Sequence, residues 1–130
     1  MKNLFLTTFV LMLSCDEINE SIIENKEDID TTPPTISIQS LNAGDFINEY
    51  ELISVSVIDD VEIYKVEFFI DDSLQFTDLE SPYEFEFDGT EFEDSTTVKF
   101  KVKSYDTSDN ISMVEIELIV IKNPNSILLY

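Results

Sequence analysis

From Thr35 to Val120 the chain alternates apolar and polar residues in short runs. Ile36 and Ile38 flank Ser37, and Ile53, Val55 and Val57 alternate with Ser54 and Ser56. Val66, Phe68 and Ile70 alternate with Lys65, Glu67 and Asp71; Tyr83, Phe85 and Phe87 with Glu84 and Glu86. Val98, Phe100 and Val102 alternate with Lys99, Lys101 and Lys103, and Val114, Ile116 and Leu118 with Glu115 and Glu117. A period of two puts each apolar set on one face of a strand. Such a face leaves water only by meeting a second sheet. Turn-forming clusters separate the runs: Leu41 to Asp45 with Gly44, Asp59-Asp60, Asp71-Asp72-Ser73, Glu80-Ser81-Pro82, Asp88-Gly89-Thr90 and Asp106 to Asn110. The pattern predicts an all-β sandwich and no helix.

The N-terminus follows another pattern. Leu4 to Leu13 is a nearly unbroken apolar run behind Lys2, and small Ser14 precedes Cys15, the one cysteine of the chain. The run is shorter than the roughly 20 residues a membrane-spanning helix needs, and it has the length of a signal-peptide core. Residues 1–14 are therefore expected to be a signal peptide. Residues 15–32 form an acidic linker, with seven acids and one lysine between Asp16 and Thr32. Pro33-Pro34 opens the strand-forming region, so the domain is expected over 33–122 and a C-terminal tail over 123–130. A secretory peptide cut nearby would leave Cys15 a free thiol. Met12-Leu13-Ser14-Cys15 also resembles the lipobox of bacterial lipoproteins, with Met12 where Leu is usual and Leu13 where a small residue is usual. That resemblance implies lipidation of Cys15, a membrane partner through the lipid anchor, and a place in the cell envelope as an outer-membrane lipoprotein. Asp16-Glu17 resembles the export signals of surface lipoproteins in some Gram-negative bacteria, and reads equally as a solvated spacer.

Composition narrows the chemistry. The 130 residues carry a formal charge of −21, which removal of Lys2 would make more negative. Such a charge repels nucleic acid and anionic headgroups, so no nucleic-acid partner is expected. Histidine and arginine are absent. The common nucleophilic pairs, the usual zinc ligands and bidentate phosphate clamps are therefore not available. An enzyme is not expected.

The order of TTPPTISI, VIDDVEIYKVEFFIDD, SPYEFEFD and VKSYDTSDNIS resembles the bacterial immunoglobulin-like modules of cell-surface proteins. The resemblance implies an immunoglobulin-like antiparallel β-sandwich of about seven strands. It also implies a non-catalytic role in adhesion, spacing or protein interaction. The family usually has glycine where this chain has Asp72 and Asp109.

Three groups of residues are candidates for function. In such a topology the ends of three strands share one pole, which would gather Asp30, Asp59, Asp60, Asp106, Asp109 and Asn110. Carboxylates and an amide carbonyl suit calcium, a hard cation that takes six to eight oxygens. The same residues also suit Asx turns, in which each side chain bonds its own backbone. Tyr50, Tyr64, Phe69 and Phe76 are candidate outward aromatics for stacking on a glycan or filling a partner's pocket, with Tyr64 and Phe69 the residues that would test a glycan role, the alternative being a carbohydrate-binding module of a surface uptake system; the partner is otherwise an unknown surface protein. Lys99, Lys101 and Lys103 are expected to face Glu67 on one neighbouring strand and Glu115 and Glu117 on the other.

Overall fold

The computed structural model describes residues 27–122. The expected signal peptide, Cys15, most of the linker and the tail over 123–130 lie outside the described residues. Eight strands follow one another: β1 (Thr35–Ile38), β2 (Phe46–Asn48), β3 (Tyr50–Ile58), β4 (Ile63–Ile70), β5 (Ser73–Asp78), β6 (Tyr83–Asp88), β7 (Thr97–Asp106) and β8 (Ile111–Ile121). They form two sheets, ordered β1-β3-β6 and β2-β8-β7-β4-β5. All pairings are antiparallel except β2 with β8, which is parallel. Among the described residues no helix is long and apolar enough to cross a membrane.

The alternation reaches the core as the sequence pattern predicts. Val66, Phe68 and Ile70 of β4 and Val98, Phe100 and Val102 of β7 point inward from one sheet; Ile53, Val55, Phe85 and Phe87 answer from the other. Phe68 stacks on Phe85 at 5.4 Å between ring centroids, and Phe85 on Phe100 at 5.8 Å, so three aromatic rings join the two sheets. Burying a phenylalanine contributes about 1.5–3 kcal/mol, which makes this cluster a principal source of stability.

The eight strands are one more than expected, and two of them, β2 and β5, lie outside the alternating runs read from the sequence. β2 has three residues and forms a short parallel edge on β8. β5 follows a turn at Asp71 and Asp72, both at positive φ (48° and 66°). Asp109 also has a positive φ, 68°. Asp72 and Asp109 therefore hold the left-handed conformation for which the resembled family uses glycine; aspartate tolerates it better than most residues.

The lysine stripe lies as its spacing predicts. Lys103 is opposite Glu67 on β4, while Lys101 and Lys99 are opposite Glu115 and Glu117 on β8. Lys101 pairs with Asp72 and with Glu115, the latter at 3.4 Å. Glu67 accepts from Lys65 at 2.6 Å and from the Tyr105 hydroxyl at 2.8 Å. Burial pushes the Glu67 carboxyl up, but these two donors outweigh it and hold the carboxyl below its ordinary value.

Candidate functional site

One end of the sandwich collects the starts and ends of three strands. β3 ends at Ile58, just before Asp59-Asp60; β7 ends at Asp106; the chain enters β1 from Asp30 through Pro33-Pro34. The start of β8 and the residue before it hold this entry in place. Ser112 donates its hydroxyl to the Pro34 carbonyl, and the Asn110 side-chain amide donates to the Asp30 carbonyl at 3.2 Å.

Carboxylate oxygens of Asp30, Asp59 and Asp60 lie within 4.8 Å of one another. A shallow cleft of about 300 Å³ beside them is lined by Thr32, Pro33, Thr35, Ile58, Asp59 and Asp60. Asp30 Oδ1 accepts from the Thr32 N–H at 2.8 Å, and Asp59 Oδ2 from the Val61 N–H at 3.1 Å, so both residues make Asx turns. Asp59 Oδ1 is buried and has no hydrogen-bond partner among the described residues. An acceptor in that position costs free energy until something donates to it or coordinates it.

Asp106 does different work. Its residue is 1% exposed. Oδ1 accepts from the backbone N–H groups of Ser108 and Asn110, each at 2.8 Å, and Oδ2 accepts from the Asn110 amide at 2.8 Å. Burial pushes this carboxyl up, yet the donors from Asn110 and Ser108 together hold it below its ordinary range. Its oxygens are committed to closing the β7–β8 turn. Asp109 is exposed at the tip of that turn. Of the six residues the sequence assigns to a cation, the structure thus brings Asp30, Asp59 and Asp60 together as carboxylates. Asn110 joins them as a bridge, Asp106 serves the turn, and Asp109 faces solvent.

The aromatic candidates do not form one platform. Tyr64 is 58% exposed because the β4–β7 register shifts between Ile63 and Lys65 and turns it outward. Phe69 lies five residues on, opposite Lys101 in the register. It is half-buried, with the Lys101 and Lys103 ammonium groups 5.8 and 5.3 Å from its ring centroid. These cations already engage the ring on which a sugar would stack.

A feature the sequence reading missed lies along one side of the sandwich. Two adjoining clefts, of about 460 and 390 Å³, run between β5 and β6 and share Gln75, Phe85 and Glu86. The exposure of Phe76, 47%, marks this opening.

A family model described as bacterial Ig domain matches residues 34–102, more than half of the chain. No curated protein matches the sequence. Among solved structures, the fold is similar to a fibronectin(III)-like module of CbhA from Clostridium thermocellum, with a TM-score of 0.55 and 22% identity over 68% of this chain and 98% of that one. It is also similar to part of the endo-beta-1,4-mannanase from Thermotoga petrophila, with a TM-score of 0.58 and 18% identity over 72% of this chain and 21% of that one. A third similarity is to SGBP-B of the Bacteroides ovatus mixed-linkage glucan utilization locus, solved with a mixed-linkage heptasaccharide (TM-score 0.51, 15% identity, 72% of this chain and 25% of that one). The chain spans about a fifth to a quarter of the latter two proteins. At these identities the likeness is one of fold.

Proposed function

The chain belongs to the bacterial Ig domain family, and from that premise we propose that it is a non-catalytic, membrane-anchored envelope protein whose module spaces and presents a surface for protein contact. One observation carries the spacing role: the chain enters and leaves the sandwich at opposite poles. Entry is tied to the residue before β8 by the Asn110–Asp30 bond. Exit is tied to the far end, where the Lys122 N–H donates to Asp94 at 2.9 Å and its ammonium to the Thr90 carbonyl at 2.7 Å. Between them β8 runs eleven residues, about 35 Å at roughly 3.3 Å per residue. A module strung this way adds its full length to whatever it carries.

The anchor would be a lipid on Cys15. Each buried CH₂ contributes about 0.8 kcal/mol, so two or more chains hold a protein stably at a membrane. The acidic residues 16–32 would act as the tether, and the envelope, at the outer membrane, is the expected location. Feeding producing cells an alkyne-tagged fatty acid tests this. Label should sit on the wild-type chain in the membrane fraction and vanish from Cys15→Ser. Labelling of both, or of neither, contradicts the anchor.

A hard cation at the entry pole belongs to the same reading. Asp30, Asp59 and Asp60 would hold calcium with water completing its shell, and the buried Asp59 Oδ1 favours this. Calcium there would stiffen the joint between tether and module.

The carbohydrate-binding reading draws on the mannanase and the glucan-complexed protein whose parts this fold resembles. The separated positions of Tyr64 and Phe69 and the lysines over Phe69 weigh against it.

A further inference from the structure

β5 and β6 end their respective sheets on the same side of the sandwich, and neither pairs with the other. Among the described residues each therefore carries one unpaired backbone edge, the feature to which extended segments add. The two strands meet at one end, where Asp78 accepts from the Glu84 N–H at 3.3 Å. From that tie the seam runs past Phe85 to Phe92, and its two adjoining clefts share Gln75, Phe85 and Glu86.

The floor of the seam is aromatic. The half-exposed Phe76 stacks at 6.3 Å on Phe68, which stacks on Phe85. The apolar core thus reaches water here. The lips are acidic: Asp78, Glu84, Glu86 and Asp88 line the clefts, and among the described residues no lysine does. Lysines 99, 101 and 103 stand instead on β7, in the middle of the five-stranded sheet, where Lys101 is already paired.

We propose that this seam receives one extended segment of a partner protein whose side chains alternate between basic and apolar. Such a segment would hydrogen-bond a free strand edge. Its period of two would set apolar side chains on Phe76 and Phe85 and basic ones against Glu84, Glu86 and Asp88. An acidic segment is repelled by the lips, and a wholly apolar one leaves those carboxylates facing grease. The inference is independent of the lipid anchor.

The test uses the ¹⁵N-labelled full chain in mild detergent, titrated with a peptide alternating lysine and valine over the length of β5. Controls are a peptide of equal composition with its lysines and valines in separate blocks, and a mixed-linkage glucan oligosaccharide. Amide shifts should concentrate at residues 73–78 and 83–88, and the alternating peptide should bind about tenfold tighter than the blocked one. Joint Glu84→Lys and Glu86→Lys should weaken it by about tenfold or more with amide dispersion retained. Should that variant lose its fold, Glu86→Gln at an exposed position gives the same readout with a smaller loss. Equal binding of both peptides, unchanged binding by the charge variants, shifts mapping elsewhere, no binding at millimolar peptide, or seam shifts from the oligosaccharide alone would each overturn the proposal.

Discussion

Asn110 donates its side-chain amide to the backbone carbonyl of Asp30, eighty residues earlier in the chain. The same amide group reaches the Asp106 carboxylate at 2.8 Å. One side chain therefore fastens the incoming chain to the turn between β7 and β8. Asn110→Ala removes both bonds and leaves Asp106 short of a donor. We expect a loss of about 1–3 kcal/mol, read from urea unfolding, with faster amide exchange at residues 30–34. Unchanged exchange there would mean that the entry is held by other contacts.

Calcium should act at the neighbouring carboxylates. A protein stripped of divalent ions should gain about 5 °C or more in Tm on addition of millimolar calcium, because a ligand that binds only the folded state stabilises it by mass action. Asp59→Asn and Asp60→Asn should each reduce the gain. A Tm indifferent to both calcium and magnesium would leave Asp30, Asp59 and Asp60 as turn residues alone.

Ser104 sits in the core at 0% exposure, and its hydroxyl has no partner among the described residues. It lies on β7 between Val102 and Asp106 in the inward-facing series. Ser104→Ala removes an unsatisfied group and leaves almost the same shape. We expect it to raise stability by about 1 kcal/mol in denaturant unfolding. A clear loss would mean that the hydroxyl finds a partner in solution.

Acid should act through Asp106. Its carboxyl is held below its ordinary range, the donors from Asn110 and Ser108 outweighing burial. A depressed folded-state value contributes stability that is present above the unfolded value, near 4, and is lost as pH falls through the lower folded value. Asp106→Asn cannot titrate, and it places an amide donor against the Asn110 amide. The variant should be less stable than wild type at pH 7, and the gap between their urea midpoints should narrow below about pH 4. A gap constant from pH 7 to pH 3 would show that Asp106 does not titrate with unfolding.

The sandwich is legible because Val66, Phe68 and Ile70, or Val98, Phe100 and Val102, carry their burial in the spacing itself. β5 is hard to read because only Leu74 and Phe76 alternate with Ser73, Gln75 and Thr77, in a run that follows the Asp71-Asp72-Ser73 turn signal directly and whose residues are exposed or half-buried along its whole length. The acidic pole could be foreseen from topology, which places the ends of β3 and β7 beside the entry to β1. Which acids remain available there could not. The backbone after β7 brings the N–H groups of Ser108 and Asn110 onto Asp106, while Asp59 keeps one oxygen unpartnered. Phe69 is engaged by lysine because the register sets it opposite Lys101, a pairing between residues distant in sequence. The seam between β5 and β6 arises from two strands that do not pair, which leaves no mark on either one.

The spacing role depends on entry and exit at opposite poles, and a distance measures that directly. Spin labels at Asp28→Cys and Lys122→Cys, both at exposed positions, in a chain also carrying Cys15→Ser, should give a pulsed electron-resonance separation centred near 35–40 Å, about the length of β8. A distribution centred below about 20 Å would place both ends of the module together and contradict the spacing role.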